Sequence, residues 1–208
     1  MNILNYCKEN NCRIIFTSSS AVYGEINSKN ITEKSAMKPG TIYAVNKIAV
    51  ENWIKILSKI YKFDWTILRL FPTYGSGHNL NTYQGIVNVM LTQILKSKKI
   101  IVHGSLNRQR DLVYCKDAAS AILKTLYSKK SNKKILNICS GKVTTVKDII
   151  YNILNILGYS KNNYDIIIKE KLPGDTFSLI GNPNLSKKII DFKTQFSFKE
   201  GLEQMLSK

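Results

Sequence analysis

The chain contains no apolar run near the roughly 18 residues that a membrane-spanning helix needs. Its opening stretch, Met1-Asn2-Ile3-Leu4-Asn5-Tyr6-Cys7-Lys8-Glu9, has no basic start, no apolar centre and no small-residue cleavage site. No signal peptide is therefore expected, and the reading is a cytoplasmic protein. None of the four cysteines, Cys7, Cys12, Cys115 and Cys139, belongs to a C-x-x-C pair. Reduced, buried thiols are the expectation. The two histidines, His78 and His103, stand alone and near no cysteine pair, so no metal site is expected. There is no G-x-S-x-G elbow of a serine hydrolase and no G-x-x-x-x-G-K-[ST] phosphate loop. Acidic residues are scarce, 14 against 31 basic ones, and the net charge is +17. Such a field favours anionic partners: nucleic acid, acidic lipid or phosphorylated small molecules. The lysines are scattered, however, and no aromatic residues interleave with them as they would on a base-stacking platform. A Lys-, Asn- and Ile-rich composition is also what AT-rich coding produces. Neither nucleic acid nor membrane is expected as a partner.

What is present is the pattern of an α/β protein. At 208 residues, 44% apolar and 22% charged, the chain is long enough for one domain or two small ones around a real core. Ile3, Leu4 and Cys7 suggest one face of a helix over residues 1–10. Residues 13–19 form a short apolar run ending in hydroxyls, which suits a strand buried on both faces. Pro39-Gly40-Thr41 opens a helix to about Lys62, with Val45, Ile48, Ala49, Trp53, Ile56, Leu57 and Ile60 at the 3.6-residue period. Residues 65–71 read as a strand, and Pro72 to Asn81 as a loop. A helix at about 85–97 is followed by strands at 100–102 and 112–114. Asp117 is placed as the cap of a helix to Tyr127, packed through Ala118, Ile122, Leu123 and Leu126. A strand at 135–139 precedes a helix capped by Thr145, with Val146, Ile149, Ile150, Ile153 and Leu157 inward and Gly158 at its stop. Residues 166–168 read as a strand. Ser197 and Glu200 form a capping box for a last helix carrying Leu202, Met205 and Leu206. The alternation predicts a parallel sheet followed by a smaller α+β region.

One constellation carries chemistry. A strand ends in Ser18-Ser19-Ser20-Ala21-Val22-Tyr23-Gly24, and Tyr43-Ala44-Val45-Asn46-Lys47 lies near the start of the next long helix. The i,i+4 spacing puts Tyr43 and Lys47 on one helical face. A free phenol ionises near pH 10 and is a poor base at neutrality. A neighbouring ammonium favours the phenolate and brings it into range for acid–base work. Ser19 could hydrogen-bond the same substrate oxygen. Against this stands a plainer reading: Tyr43 and Lys47 continue into Glu51, Lys55 and Lys59, a solvated helix stripe.

With these residues in order, the chain resembles the extended short-chain dehydrogenase/reductases, the NAD-dependent epimerase/dehydratase family. Phe16 to Gly24 is similar to the family's catalytic-serine segment, which implies Ser19 as the catalytic hydroxyl. Tyr43 and Lys47 match its Y-x-x-x-K. Leu68-Arg69-Leu70-Phe71 resembles the strand whose terminal Phe lies by the nicotinamide. Arg110-Asp111-Leu112-Val113-Tyr114 with Asp117 resembles the segment whose Arg holds the nucleotide diphosphate. Asn137-Ile138-Cys139-Ser140-Gly141 is similar to N-[IV]-G-[ST]-G. Pro173-Gly174-Asp175 resembles the element whose Asp reaches the ribose. The resemblance thus implies Ser19, Tyr43 and Lys47 as catalytic residues. It implies Ser18, Ser19, Tyr43, Lys47 and Phe71 at the cofactor, NAD, and Ser19, Tyr43, Arg110 and Asp175 at a nucleotide-sugar substrate, most simply UDP-linked.

The departures from the family pattern shape the expectation. None of the eleven glycines forms the G-x-x-G-x-x-G loop that holds the dinucleotide at a helix N-terminus. Roughly 100 residues of that architecture are expected to be missing, at 30 or more per βαβ unit. Residues 1–76 then read as the C-terminal half of an NAD-binding Rossmann domain, an incomplete parallel sheet. Residues 77–208 read mainly as the substrate-binding region, with 112–139 returning to the sheet. Pro72 stands where the epimerases usually carry Asn, and Leu172 where Arg usually precedes P-G-D, which costs a diphosphate contact unless Lys171 or another cation substitutes. Ala21 occupies the position where the family's dehydratases and decarboxylases place an acid. The implied function is an NAD-dependent sugar-nucleotide epimerase, with transient hydride transfer at a sugar carbon, commonly C4. The alternatives are a dehydratase or reductase of the same family, or a non-catalytic sugar-nucleotide-binding remnant. A homodimer, or association with the missing N-terminal half, is the expected assembly.

Overall fold

A computed structural model of the chain describes residues 2–10, 12–24, 26, 28–77 and 84–207. His78 and the end of the loop expected at 72–81 lie outside the described residues. The elements run α1 (Asn2–Asn10), β1 (Ile14–Ser19), β2 (Ser28–Ile31), α2 (Ile42–Tyr61), β3 (Trp65–Leu70), β4 (Thr73–Tyr74), α3 (Ile86–Lys96), β5 (Lys99–His103) and β6 (Gln109–Arg110). They continue as β7 (Val113–Tyr114), α4 (Cys115–Tyr127), β8 (Lys134–Ile138), β9 (Thr144–Thr145), α5 (Val146–Ile156), β10 (Asp165–Lys169), β11 (Ser178–Gly181), α6 (Asn184–Ile190) and α7 (Phe198–Leu206).

The architecture is α/β, and among the described residues all but one of the strand pairings are parallel. β1, β3 and β8 make a three-stranded parallel sheet with β3 in the middle. β2, β11, β6 and β9 form a second sheet, in which only β6–β9 is antiparallel. β5 pairs with β10 and β4 with β7, both parallel. The central strand β3 is buried at every position but its last, as a continuous apolar run requires. β1 is only half-buried over Ile14–Thr17, because it is an edge strand with a neighbour on one side. The expectation that it is buried on both faces is corrected on that ground.

The caps expected at Thr145 and Ser197 form, and the one expected at Asp117 does not. The Thr41 hydroxyl accepts from Ala44 N–H, and Thr145 with Asp148 and Ser197 with Glu200 both close capping boxes. Each such cap is worth about 1 kcal/mol. α5 buries Val146, Ile149, Ile150, Ile153 and Leu154 in the largest apolar cluster, against α3, β5 and α7. Several faces differ from expectation. Ile3 points to solvent, while Leu4 and Cys7 are buried. Asp117 does not cap α4: it lies inside the first turn, buried, and its carboxylate accepts from the backbone N–H groups of Gln195 and Phe196. Leu123 and Leu126 are exposed, and Ala118 and Ala121 pack in their place. In α2 the buried residues are Ala44, Glu51, Ile54 and Ser58. Val45, Trp53, Ile56 and Ile60 are instead about half exposed, at 50%, 47%, 55% and 60%. All four cysteines are free thiols. Cys7 and Cys139 are buried and Cys12 and Cys115 half-buried. Burial, with Cys12 alongside, pushes the Cys7 thiol up to about 11.

Candidate functional site

The C-terminal ends of β1 and β3 meet the start of α2 at a cavity of about 360 Å³. Its wall holds Ser18, Ser19, Ala21, Tyr43, Lys47, Phe71 and Pro72. This is where a parallel sheet places its ligands, outside the carboxyl ends of its strands. Ser19 ends β1 in extended backbone and caps the 3-10 turn Ser20–Tyr23, its hydroxyl oxygen accepting from Ala21 N–H at 3.1 Å. The Ser19 O–H proton is still free to be donated. Tyr43 is 56% exposed and projects from the first turn of α2. Lys47, one turn on, donates to the Thr17 carbonyl at 2.7 Å and lies 5.6 Å from the Tyr43 ring centroid. Phe71, almost fully buried, supplies an apolar wall. Ser18 lines the same cavity, but its hydroxyl is engaged from behind, donating to Glu51 Oε1 at 2.6 Å.

Glu51 shows why these pieces hold their places. It follows Lys47 by four residues on the same face of α2 and is completely buried. The Arg69 guanidinium, from β3, donates Nε and Nη2 to its carboxylate at 3.0 and 2.7 Å. Arg69 also reaches the Tyr23 hydroxyl at 3.1 Å, and that hydroxyl donates to Asn137 Oδ1 at 2.6 Å. One buried network thus ties α2, the end of β1, the turn after it, β3 and β8. Burial alone would lower the Arg69 pKa, but its bonds to Glu51 and Tyr23 outweigh that and hold it above its ordinary value. Burial raises the Tyr23 phenol, against the pull of Arg69. The reading of Glu51 as part of a solvated stripe is wrong: an interior carboxylate paired to an interior guanidinium has no periodic apolar signature. Its place at i+8 from Tyr43 and i+4 from Lys47 was the available signal.

A larger cavity of about 740 Å³ is lined by residues of α3, β5 and β6. Ile86, Val89, Met90 and Ile101 give it an apolar wall, and Arg108, Arg110 and Asp175 its charge. Both guanidiniums pair with the one Asp175 carboxylate, Arg108 with Oδ2 and Arg110 with Oδ1. Burial and the charge of Arg108 work against the Arg110 cation. Leu172 lines this cavity and Lys171 a smaller one of about 310 Å³ next to it, which Arg108 and Asp175 share. The two regions adjoin. Arg110 pairs in register with Leu179 of β11, and Leu179 lines the cavity of Tyr43. The loop before α2 touches the loop that carries Asp175: a Cβ on Gly174 would sit 2.7 Å from the Gly40 carbonyl oxygen. Asp111 braces the junction, its buried carboxylate accepting from Ser140 N–H and Oγ–H, Gly141 N–H and Gly181 N–H.

Sheet topology and the cavity beyond the carboxyl ends of β1 and β3 are those of a Rossmann-like α/β protein. The chain belongs to the NAD-dependent epimerase/dehydratase family, whose model matches residues 1–139. It is 31% identical over 147 residues to a dTDP-4-dehydro-6-deoxyglucose reductase of Escherichia coli, covering 70% of this chain and 46% of the relative. It is 28% identical over 196 residues to a UDP-glucose 4-epimerase of Yersinia enterocolitica, covering 86% of this chain and 57% of the relative. A solved structure of a UDP-N-acetylglucosamine 4-epimerase from Methanobrevibacter ruminantium M1, in complex with UDP-N-acetylmuramic acid, superposes with a TM-score of 0.89 at 27% identity. That match covers 99% of this chain and 66% of the other. The chain spans between about half and two thirds of the length of these relatives. Among the described residues no helix is long and apolar enough to cross a membrane.

Proposed function

We propose that this chain carries the catalytic and substrate-binding parts of an NAD-dependent sugar-nucleotide epimerase acting at C4 of a UDP-sugar. The observation that carries the reading is the adjacency of two cavities. One presents Ser19, Tyr43 and Lys47, and the other presents buried guanidiniums beside an apolar wall. A nucleotide sugar has the matching polarity, with a sugar hydroxyl at one end and an anionic linker and flat base at the other. Residues 1–76 are taken as the second half of a dinucleotide-binding domain, and 77–208 mainly as the substrate region.

The Ser19, Tyr43, Lys47 and Phe71 cavity fits a nicotinamide ring and the carbon it reacts with. NAD, when bound, accepts a hydride from the sugar carbon and returns it. The chain's own residues handle the proton and the orientation. Tyr43 as phenolate takes the proton of the sugar hydroxyl, and Lys47 sets a cation facing the ring on which that negative charge sits. The O–H of Ser19 donates to the same sugar oxygen. For epimerisation the oxidised sugar would have to present its other face to the cofactor before reduction. Ala21, beside Ser19, offers no acid for elimination, which favours epimerisation over dehydration. The likeness to a reductase keeps a simple redox reaction as the second reading. Pro72 supplies neither an N–H nor a side-chain amide, and its carbonyl is taken by Val113 N–H at 3.0 Å.

The free edge of β1 and the exposed stripe of Val45, Trp53, Ile56 and Ile60 support association, with a dinucleotide-binding half at the edge and a second copy at the stripe. The test is calorimetry on the 208-residue chain. UDP-glucose should bind, and NAD should bind no better than millimolar, since no glycine-rich phosphate loop is present. Micromolar NAD binding together with no UDP-sugar binding would reverse the assignment.

A further inference from the structure

We propose that Cys7 and Cys12 form a site of reversible oxidation, closing as a disulfide that clips α1 to the start of β1 when a low-molecular-weight disulfide such as oxidised glutathione is present. The proposal stands apart from the nucleotide-sugar reading. The two Sγ atoms lie 3.2 Å apart, with the Cys12 S–H donating to Cys7. They need to close by roughly 1.2 Å to reach a disulfide bond of about 2.0 Å. The backbone already holds the two residues together, because Cys12 N–H donates to the Cys7 carbonyl at 3.2 Å.

The fold gives the two thiols different parts. Cys7 is buried in the apolar cluster of Leu4, Ile54, Phe63, Trp65 and Ile67. Burial pushes its thiol up to about 11, so it keeps its proton at neutral pH. Cys12 is half-buried and meets a dissolved oxidant first. Its thiolate attacks one sulfur of oxidised glutathione, forms a mixed disulfide and releases one glutathione thiolate. Cys7 then gives its proton to solvent, attacks the Cys12 sulfur and releases the second glutathione. The S–S bond of the oxidant breaks, the bond between Cys7 and Cys12 forms, and the two electrons leave with the two reduced glutathione molecules. The clip has something to hold. Of the nine residues of α1 only Leu4 and Cys7 are buried, while Ile3 and Tyr6 are exposed. A helix with so narrow an apolar face is weakly held by packing. A cross-link removes freedom from the unfolded chain and so favours the folded one. Ser19 lies at the far end of β1, so the clip acts on the fold rather than on the cavity.

The experiment equilibrates the full chain, folded and in urea, in graded mixtures of reduced and oxidised glutathione. Samples are quenched in acid, alkylated and read by mass spectrometry after trypsin. Cleavage at Lys8 and Arg13 puts the two cysteines on separate peptides, 1–8 and 9–13, so the disulfide shows as their cross-link. The folded chain should form it with an equilibrium constant about tenfold or more larger than the unfolded chain. By linkage, the oxidised chain should melt about 3 °C or more above the reduced one. Cys12→Ser, its fold checked by circular dichroism, should show neither the cross-link nor the rise. Cys7 and Cys12 both alkylated in every mixture, or a cross-link that forms no more readily in the folded chain than in urea, overturns the proposal and leaves the pair as a thiol hydrogen bond. An oxidised chain that melts at or below the reduced one overturns it as well.

Discussion

Removing the Glu51 carboxylate should unfold or nearly unfold this chain, although Glu51 lines neither cavity. Glu51→Ala leaves the Arg69 guanidinium, only 2% exposed, without the acceptor for its Nε and Nη2. Breaking a buried ion pair from one side costs about 3–5 kcal/mol. The Ser18 hydroxyl loses its acceptor as well, which adds about 1–3 kcal/mol. The sum is comparable with the whole stability of many domains, about 5–15 kcal/mol. With a urea m-value of about 2 kcal/mol per molar, the midpoint should fall by about 2 M or more. Replacing both partners, Glu51→Leu with Arg69→Met, removes the orphaned charge, and the double variant should recover most of the loss. The assay is equilibrium urea unfolding followed by circular dichroism, with the single variants Glu51→Leu and Arg69→Met closing a double-mutant cycle on the double variant. A Glu51→Ala midpoint within about 0.5 M of wild type, or additive single effects, would mean that the buried pair does not hold the fold. The same network holds the strand end of Ser19 against the helix of Tyr43, so the variants that stay folded should also bind UDP-glucose more weakly in calorimetry.

Other outcomes follow from single contacts. Gly174→Ala introduces a Cβ 2.7 Å from the Gly40 carbonyl at φ +75°; it should destabilise by more than about 1 kcal/mol in a thermal melt and weaken UDP binding by calorimetry. Burial raises the Asp111 pKa despite its hydrogen bonds, so the folded chain holds this proton more tightly than the unfolded chain. The stability from that group is full below its ordinary 3.8 and falls as pH rises through the raised value. Asp111→Asn cannot ionise, so its urea midpoint should lack that slope while lying lower throughout, because an amide accepts fewer of the surrounding hydrogen bonds. Trp53→Asp with Ile56→Asp should lower any self-association seen by sedimentation without lowering the helical signal.

Several elements were legible because local rules govern them. Thr41, Thr145 and Ser197 announce helix starts through hydroxyls at the right offset, and β3 announces itself as an uninterrupted apolar run. Ser19, Tyr43 and Lys47 do share one cavity, as their spacing suggested. The four-stranded sheet of β2, β11, β6 and β9 was mostly invisible, because strands of two to four residues have too few positions to show a period. Faces were misjudged where tertiary partners decide them. On α2 the periodic apolar residues Val45, Trp53, Ile56 and Ile60 face outward, while an acid, Glu51, faces in to meet Arg69. Asp117 looked like a cap and instead fastens the chain before α7. Arg108 carried no motif of its own; only the fold shows that it shares Asp175 with Arg110.

In the proposed function Tyr43 serves as the acid–base group of a C4 epimerase. This role is tested by joining the chain to the N-terminal dinucleotide-binding part of an epimerase relative and following UDP-glucose with NAD by proton NMR. The expected result is appearance of the galacto epimer with the native chain, and a loss of about 10²–10⁴-fold in rate with Tyr43→Phe while UDP binding persists. Formation of a 4-keto-6-deoxy sugar, or equal epimerisation by Tyr43→Phe, would contradict it.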